Sequence, residues 1–249
     1  FLGNKFIKLK KNDIFRHFLP TIKLLIPQIA IQIYTVMDKT MIGVIANTSE
    51  VAYYENAQKI IRMALGVATS LGTVLMPRIS NYFANDDYEN IRKYIYKSFV
   101  YISFLTFPLS FGIMGLAPEF VPWFFGNAFI PVVSNMIIIS PIMIAIGWSN
   151  ILGVQLMLPV GKEKEFTISV TLGAIVNFLL NIVLINKFNS LGAAMSSVIA
   201  EFLVTIVMFN YMKKYVDLRS LLKIMSKYLV GFLIMFSAVR IIGYFMESS

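Results

Sequence analysis

The sequence predicts an all-α fold, a polytopic transmembrane helical bundle of about seven spans. Three observations predict it. Hydrophobic residues fill 57% of the 249 positions and charged residues only 14%, against roughly 45–50% and 25% in an ordinary soluble domain. Charges cut the chain into uncharged runs close to the ~20 residues that cross a hydrocarbon core. Lys and Arg collect on alternate connections, as they do when one side of a membrane is the cytoplasmic side.

The spans fall at 18–45, 57–77, 96–116, 130–153, 166–186, 191–212 and 224–246. The first follows a basic segment containing Lys5, Lys8, Lys10, Lys11, Arg16 and His17, a cytoplasmic flank and no signal peptide. The second is short: from Arg62 to Pro77 the uncharged run is only about 22 Å of helix, so it extends back to Ala57 and takes in Lys59 and Arg62. Ahead of the third, "NDDYENIRKYIYK" reads as a short interfacial helix with Tyr88, Ile91 and Ile95 on one face. Between Glu119 and Lys162 no residue is charged, about 60 Å of helix and twice what a bilayer needs. Pro122, Trp123, Phe124, Phe125 and Gly126 predict an aromatic interfacial turn there, leading into one span that starts near Pro131 and ends by Pro159, with two short spans as the alternative that the charge asymmetry disfavours.

Seven crossings put Arg78, Arg92, Lys93, Lys97, Lys162, Lys164, Lys213, Lys214, Arg219, Lys223 and Lys227 on the side of the first basic segment, and only Lys187 opposite. The net charge of +9 is therefore a topology signal, and no nucleic acid is invoked. The absence of Cys excludes disulfides and thiolate metal sites. With no Gly/Ser linker or low-complexity tract, residues 1–249 form a single transmembrane domain.

Ionisable residues at membrane depth are expensive, and face a bundle interior or water. Here they are Lys23, Asp38, Lys39, Lys59, Arg62, Glu201 and Arg240. Lys59 and Arg62 are neighbours at i and i+3 near the outer face. Two readings stand: both snorkel to the outer headgroups, or they bind a phosphate-bearing substrate, Arg bidentately and Lys as a mobile point charge. The scarcity of Lys and Arg on that side favours the second. Asp38 and Lys39 point about 100° apart, so each takes a partner on another helix, or Asp38 takes a cation. Glu201 faces inward, with Lys23 and Arg240 as candidate partners, although Arg240 can also snorkel outward. Asn177 and Asn181 sit one turn apart in "IVNFLLNIVLIN". Either they hydrogen-bond between helices, or their amide oxygens join Ser197 and Asp38 around a hard alkali cation.

Three stretches carry a family resemblance: "PTIKLLIPQIAIQIYTVMDKTMIG", "YYENAQKIIRMALGVATSLGTVLMPRIS" and "LPVGKEKEFTISVTLGAIVNFLLNIVLINKFNSLGAAMSSVIAE". They resemble bacterial polysaccharide-biosynthesis flippases, the Wzx-like oligosaccharide translocases related to multidrug and toxic-compound extruders. The resemblance implies the C-terminal half of a protein with 12 to 14 spans, the second bundle plus one additional helix, with the N-terminal bundle lying ahead of Phe1. It implies a multi-pass protein of the bacterial cytoplasmic membrane. Its cargo would be an undecaprenyl-diphosphate-linked oligosaccharide repeat unit, carried to the outer leaflet before the polysaccharide polymerase machinery builds capsule, exopolysaccharide or O-antigen. Cavity cations of that family map to Lys59 and Arg62, with Lys23, Lys39 and Glu201 beside them. The related peptidoglycan lipid flippases imply a coupling sodium, or a proton, at Asp38, Asn177, Asn181 and Ser197. Asn181 stands where those proteins have Asp, which removes one negative charge from the set.

A cation-coupled multidrug extruder is the alternative within the superfamily; acidic cavities suit its substrates, and the cations of these spans outnumber Asp38 and Glu201. A membrane-embedded polymerase or acyltransferase is the alternative of another class. It needs an acid–base constellation, whereas the outward loops offer only Glu50, Glu55 and Glu119. The expectation is a transporter and not an enzyme.

Overall fold

The computed structural model describes residues 35–69 and 72–217, with individual positions of 22–33 and 221–240. Every regular element among the described residues is helical. Helix α1 covers residues 35–45. It is followed by α2 (Thr48–Thr69), α3 (Gly72–Ala84), α4 (Tyr88–Phe125), α5 (Pro131–Ile139), α6 (Ile142–Asn150), α7 (Glu163–Phe188) and α8 (Ser190–Met212). A π-helical segment, Ile151–Met157, continues α6.

Four stretches are long and apolar enough to span a membrane: Tyr88–Phe125, Pro131–Met157, Glu163–Phe188 and Ser190–Met212. They contain the expected spans 96–116, 166–186 and 191–212 and all but the first residue of 130–153, and the chain is a multi-pass membrane protein. Pro131–Met157 forms one apolar run, so the long uncharged stretch supplies one span, bent at Ser140 and Pro141 where proline removes a backbone donor. Of the first and last expected spans, only 35–45 and individual positions are described.

Three boundaries differ from expectation, the first being that the expected span 57–77 is divided between α2, which ends at Thr69, and α3, which begins at Gly72. Helix α2 starts at Thr48 and not near Ala57, because Asn47 Oδ1 accepts from the Glu50 backbone N–H at 3.0 Å and caps the helix. Lys59 and Arg62 therefore lie about 16 and 21 Å along its axis, not in its first turns. The expected interfacial helix and aromatic turn are both absorbed into the single 38-residue helix α4. Asp87 caps it, with the Asn90 side-chain and backbone amides holding its carboxyl below the usual range. Ile91 and Ile95 are buried in the core and do not lie on a headgroup surface. Pro118 and Pro122 stay within the helix, which runs on to Gly126, where φ of 85° turns the chain.

The two ends of the bundle differ chemically. Tyr82, Tyr88, Tyr94 and Tyr215 pack at one end, where Lys214 lies over the Tyr88 ring at 5.4 Å and Arg92 donates to the Lys214 carbonyl at 3.1 Å. At the other, Glu50 accepts from the Ser190 N–H at 3.1 Å and from its hydroxyl, capping α8 from α2. Asn135 of α5 donates to Ser190 Oγ at 3.0 Å. Glu50, expected as a loop carboxylate, thus ties α2 to α8, and Ser190 is the point where α2, α5 and α8 meet.

Helices α7 and α8 form the tightest pair. A Cβ on Gly192 would sit 2.1 Å from the Leu184 carbonyl oxygen, a backbone atom that cannot rotate away. Gly192→Ala is expected to cost about 1–3 kcal/mol through overpacking, read as a lower Tm in detergent. An unchanged Tm would show that the hairpin can open without penalty.

Candidate functional site

Helices α1, α2, α7 and α8 meet around a polar cluster inside an apolar bundle. Asp38 (α1), Tyr54 (α2), Asn177 and Asn181 (α7) and Ser197 (α8) are all buried. The Asp38 carboxylate accepts three hydrogen bonds: from Tyr54 Oη at 2.8 Å, Ser197 Oγ at 2.8 Å and Asn181 Nδ2 at 2.7 Å. Asn181 Nδ2 also donates to Asn177 Oδ1 at 3.2 Å, and Asn177 Nδ2 to Ser197 Oγ at 3.4 Å. Tyr54 Oη lies 3.1 Å from Ser197 Oγ and accepts from Gln58 Nε2 at 3.3 Å. A buried charge survives only with partners of this kind.

Local sequence explains the gathering. Residues 54, 58, 61 and 65 recur at helical spacing on the buried face of α2. Asn177 and Asn181, one turn apart on α7, face Ser197 across the close approach that Gly192 permits. Asp38 and Lys39 take different neighbours, as their angular separation requires.

The cluster tests well for a hard monovalent cation. Its oxygens are one carboxylate, two amides and two hydroxyls, without sulfur or imidazole. Asn181 Oδ1 is buried and has no hydrogen-bond partner, while its Nδ2 faces Asp38. Rotating that amide by half a turn would present an oxygen to a cation held at Asp38.

Beside the cluster opens a cavity of about 240 Å³ lined by Gln32, Thr35, Asp38, Gln58, Ile61, Arg62, Leu65, Ile139, Ile142, Ile146, Ser197 and Glu201. Arg62 brings the cavity's guanidinium. Glu201, buried on α8, brings a second carboxylate. Polar and charged groups thus line the cavity beside Ile61 and Leu65 of α2, and aliphatic side chains of α5 and α6 complete it.

The sequence-predicted cations separate. Arg62 lines the cavity. Lys59 instead turns to Glu55 at 3.6 Å, and Lys39 reaches the same carboxylate at 3.1 Å. Arg240, an exposed residue, pairs with Glu119 of α4 at 3.1 Å and not with Glu201. Lys23 lies outside the described residues. Two contributors escaped the sequence reading: Tyr54, because residues 52–56 fall in the expected connection before the second span, and Gln58, an uncharged residue within that span. The capping pattern Asn47-x-x-Glu50 is the signal that places them in a helix.

Comparison with known proteins agrees with this architecture. A family model described as lipid II flippase MurJ matches residues 4–249. Two relatives carry provisional names. One, a low-salt glycan biosynthesis flippase of Haloferax volcanii, is 23% identical over 188 residues, covering 75% of this chain and 39% of the relative. The other, an O-antigen transporter of Escherichia coli (strain K12), is 28% identical over 185 residues, 74% of this chain and 44% of the relative. A solved structure of lipid II flippase MurJ, in an inward closed conformation, superposes with a TM-score of 0.74 at 19% identity, covering 100% of this chain and 56% of that one. At that identity the likeness speaks for the fold. The chain spans about half the length of the relatives it matches. On the family match over nearly all its residues, the chain belongs to the lipid II flippase MurJ family.

Proposed function

We propose that this protein is a flippase that moves undecaprenyl-diphosphate-linked oligosaccharide units from the cytoplasmic to the outer leaflet for polysaccharide biosynthesis, acting as a transporter and not as an enzyme. The observation that carries the proposal is the placement of Arg62, about 21 Å into α2, on a cavity rather than at a helix end. A guanidinium there offsets the charge of a diphosphate and can grip it bidentately. Glu201 suits sugar hydroxyls, which can donate to its oxygens. The aliphatic lining keeps the rest of the cavity from competing for the phosphates.

The cation set of Asp38, Asn177, Asn181 and Ser197, with Tyr54, would hold a coupling sodium. A bound sodium supplies positive charge that stabilises the ionised Asp38 inside the membrane. Lys39 and Lys59, further toward the Glu50 end, share Glu55 and so present reduced net charge to a departing anion. That gradient favours release over retention. Glu55→Gln frees both lysines. It is expected to leave the fold intact, since exposed pairs contribute ~0–1 kcal/mol, and to slow release by up to about fivefold. Faster or unchanged release, followed with a fluorescent lipid diphosphate, would remove Glu55 from the pathway.

A cation-coupled extruder is the second reading, and one observation favours it: Asp38 and Glu201 line the same cavity as Arg62. Asp38, however, has both oxygens engaged by donors of the polar cluster. The deciding experiment uses the purified protein in vesicles. It compares translocation of a defined lipid-linked oligosaccharide with accumulation of a lipophilic drug cation. Oligosaccharide transfer alone supports the flippase; drug transport alone rejects it.

A further inference from the structure

Tyr54, Gln58 and Arg62 occupy successive turns of α2. The first touches the Asp38 cluster and the last two line the cavity. In the arrangement described, the donors run toward Asp38: Gln58 Nε2 donates to Tyr54 Oη, while Tyr54 and Ser197 hydroxyls both donate to Asp38 Oδ2. A hydroxyl carries one proton, and a side-chain amide has an oxygen that accepts and a nitrogen with two N–H donors. With Nε2 engaged at Tyr54, one of the two Gln58 donors is committed there and at most one is left for an anion.

A cation at Asp38 requires lone pairs, not protons, from the surrounding hydroxyls. The Ser197 proton can then turn to Tyr54 Oη, 3.1 Å away, and the Tyr54 proton to Gln58. Gln58 must present Oε1 to receive it, which swings Nε2 toward the cavity, one turn from Arg62. We propose that Tyr54 and Gln58 form a reversible hydrogen-bond relay by which sodium at Asp38 releases the Gln58 N–H held at Tyr54 and frees both amide donors for an anion beside Arg62. They are positioning residues: Tyr54 acts through Gln58, and Gln58 completes the Arg62 site. The relay rests on the proposed sodium site and anion cavity. By linkage, the anion must strengthen sodium binding by the same factor.

The test uses the purified protein in lipid nanodiscs, with inorganic diphosphate as the anion probe and sodium chloride against choline chloride. Diphosphate affinity and sodium affinity are measured separately. In the unaltered protein, sodium is expected to tighten diphosphate binding by about fivefold or more, the lower end of ordinary coupling. Tyr54→Phe and Gln58→Met should each reduce that ratio to below about twofold, while diphosphate still binds in choline and Gln58→Met still binds sodium. If Tyr54→Phe lowers Tm too far to be measured, Gln58→Met alone decides. A variant that binds both ions and keeps the unaltered ratio overturns the relay. Diphosphate binding with no sodium effect in the unaltered protein also overturns it, but leaves the anion cavity standing. No diphosphate binding under any condition overturns the cavity as well.

Discussion

Replacing Arg62 by Glu is expected to stop translocation, with a fall in rate of more than about 100-fold. Arg62 is exposed in the structure, and losing its contact to a bound diphosphate that desolvates it costs roughly 2–5 kcal/mol, where each 1.4 kcal/mol is about tenfold. The replacement also puts a third carboxylate in a cavity that already holds Asp38 and Glu201. Arg62→Lys should retain part of the rate, since it keeps the charge and loses the bidentate fork. Lys59→Glu should have a smaller effect, because Lys59 faces Glu55 rather than the cavity. Surface polysaccharide and membrane protein level, measured together in cells carrying each variant, check the order. Equal losses for Lys59→Glu and Arg62→Glu would mean that the cavity lining does not separate their roles.

Asp38→Asn is expected to erase sodium dependence. The substitution keeps the side chain's shape but replaces one acceptor by an NH₂ group, among three donors that now converge on Asp38. Leaving a buried donor unpaired costs about 1–3 kcal/mol, offset in part by no longer burying a charge. The protein should therefore still reach the membrane, while rates in sodium and in choline become equal. A sodium-stimulated rate in Asp38→Asn would place the coupling ion elsewhere.

Much of the bundle was legible from the sequence because lipid makes patterning strict. The runs around Ile175 and Ile199 carry few charges, so their spans were fixed by length alone. Asn177 and Asn181 were also readable as a pair, since amides one turn apart on an apolar helix need partners; Asp38 and Ser197 joined them in one of two readings and through the family resemblance. Helix α2 was harder. Glu50 and Glu55 made residues 48–56 look like a loop, whereas Glu50 caps α8 and Glu55 holds two lysines. Ser190 and Lys39 come from other helices, and one-dimensional spacing cannot supply them; Lys59 is the i,i+4 neighbour of Glu55 on α2 itself. The same reason hid Arg240–Glu119. Helix α4 was read too short because Pro118 and Pro122 look like breaks. A membrane helix tolerates such prolines when neighbouring groups satisfy the freed carbonyls.

The most direct measurement of the account exploits the absence of Cys from this chain. A single Cys placed at Ile146, which lines the cavity with Arg62, in an otherwise cysteine-free protein, reports whether water reaches that depth. A small membrane-impermeant thiol reagent should label it, and a lipid-linked diphosphate should slow the labelling in the protein with Arg62 but not in the Arg62→Glu variant. No labelling at all, or the same protection in both proteins, would contradict a hydrated cavity in which Arg62 holds the phosphates.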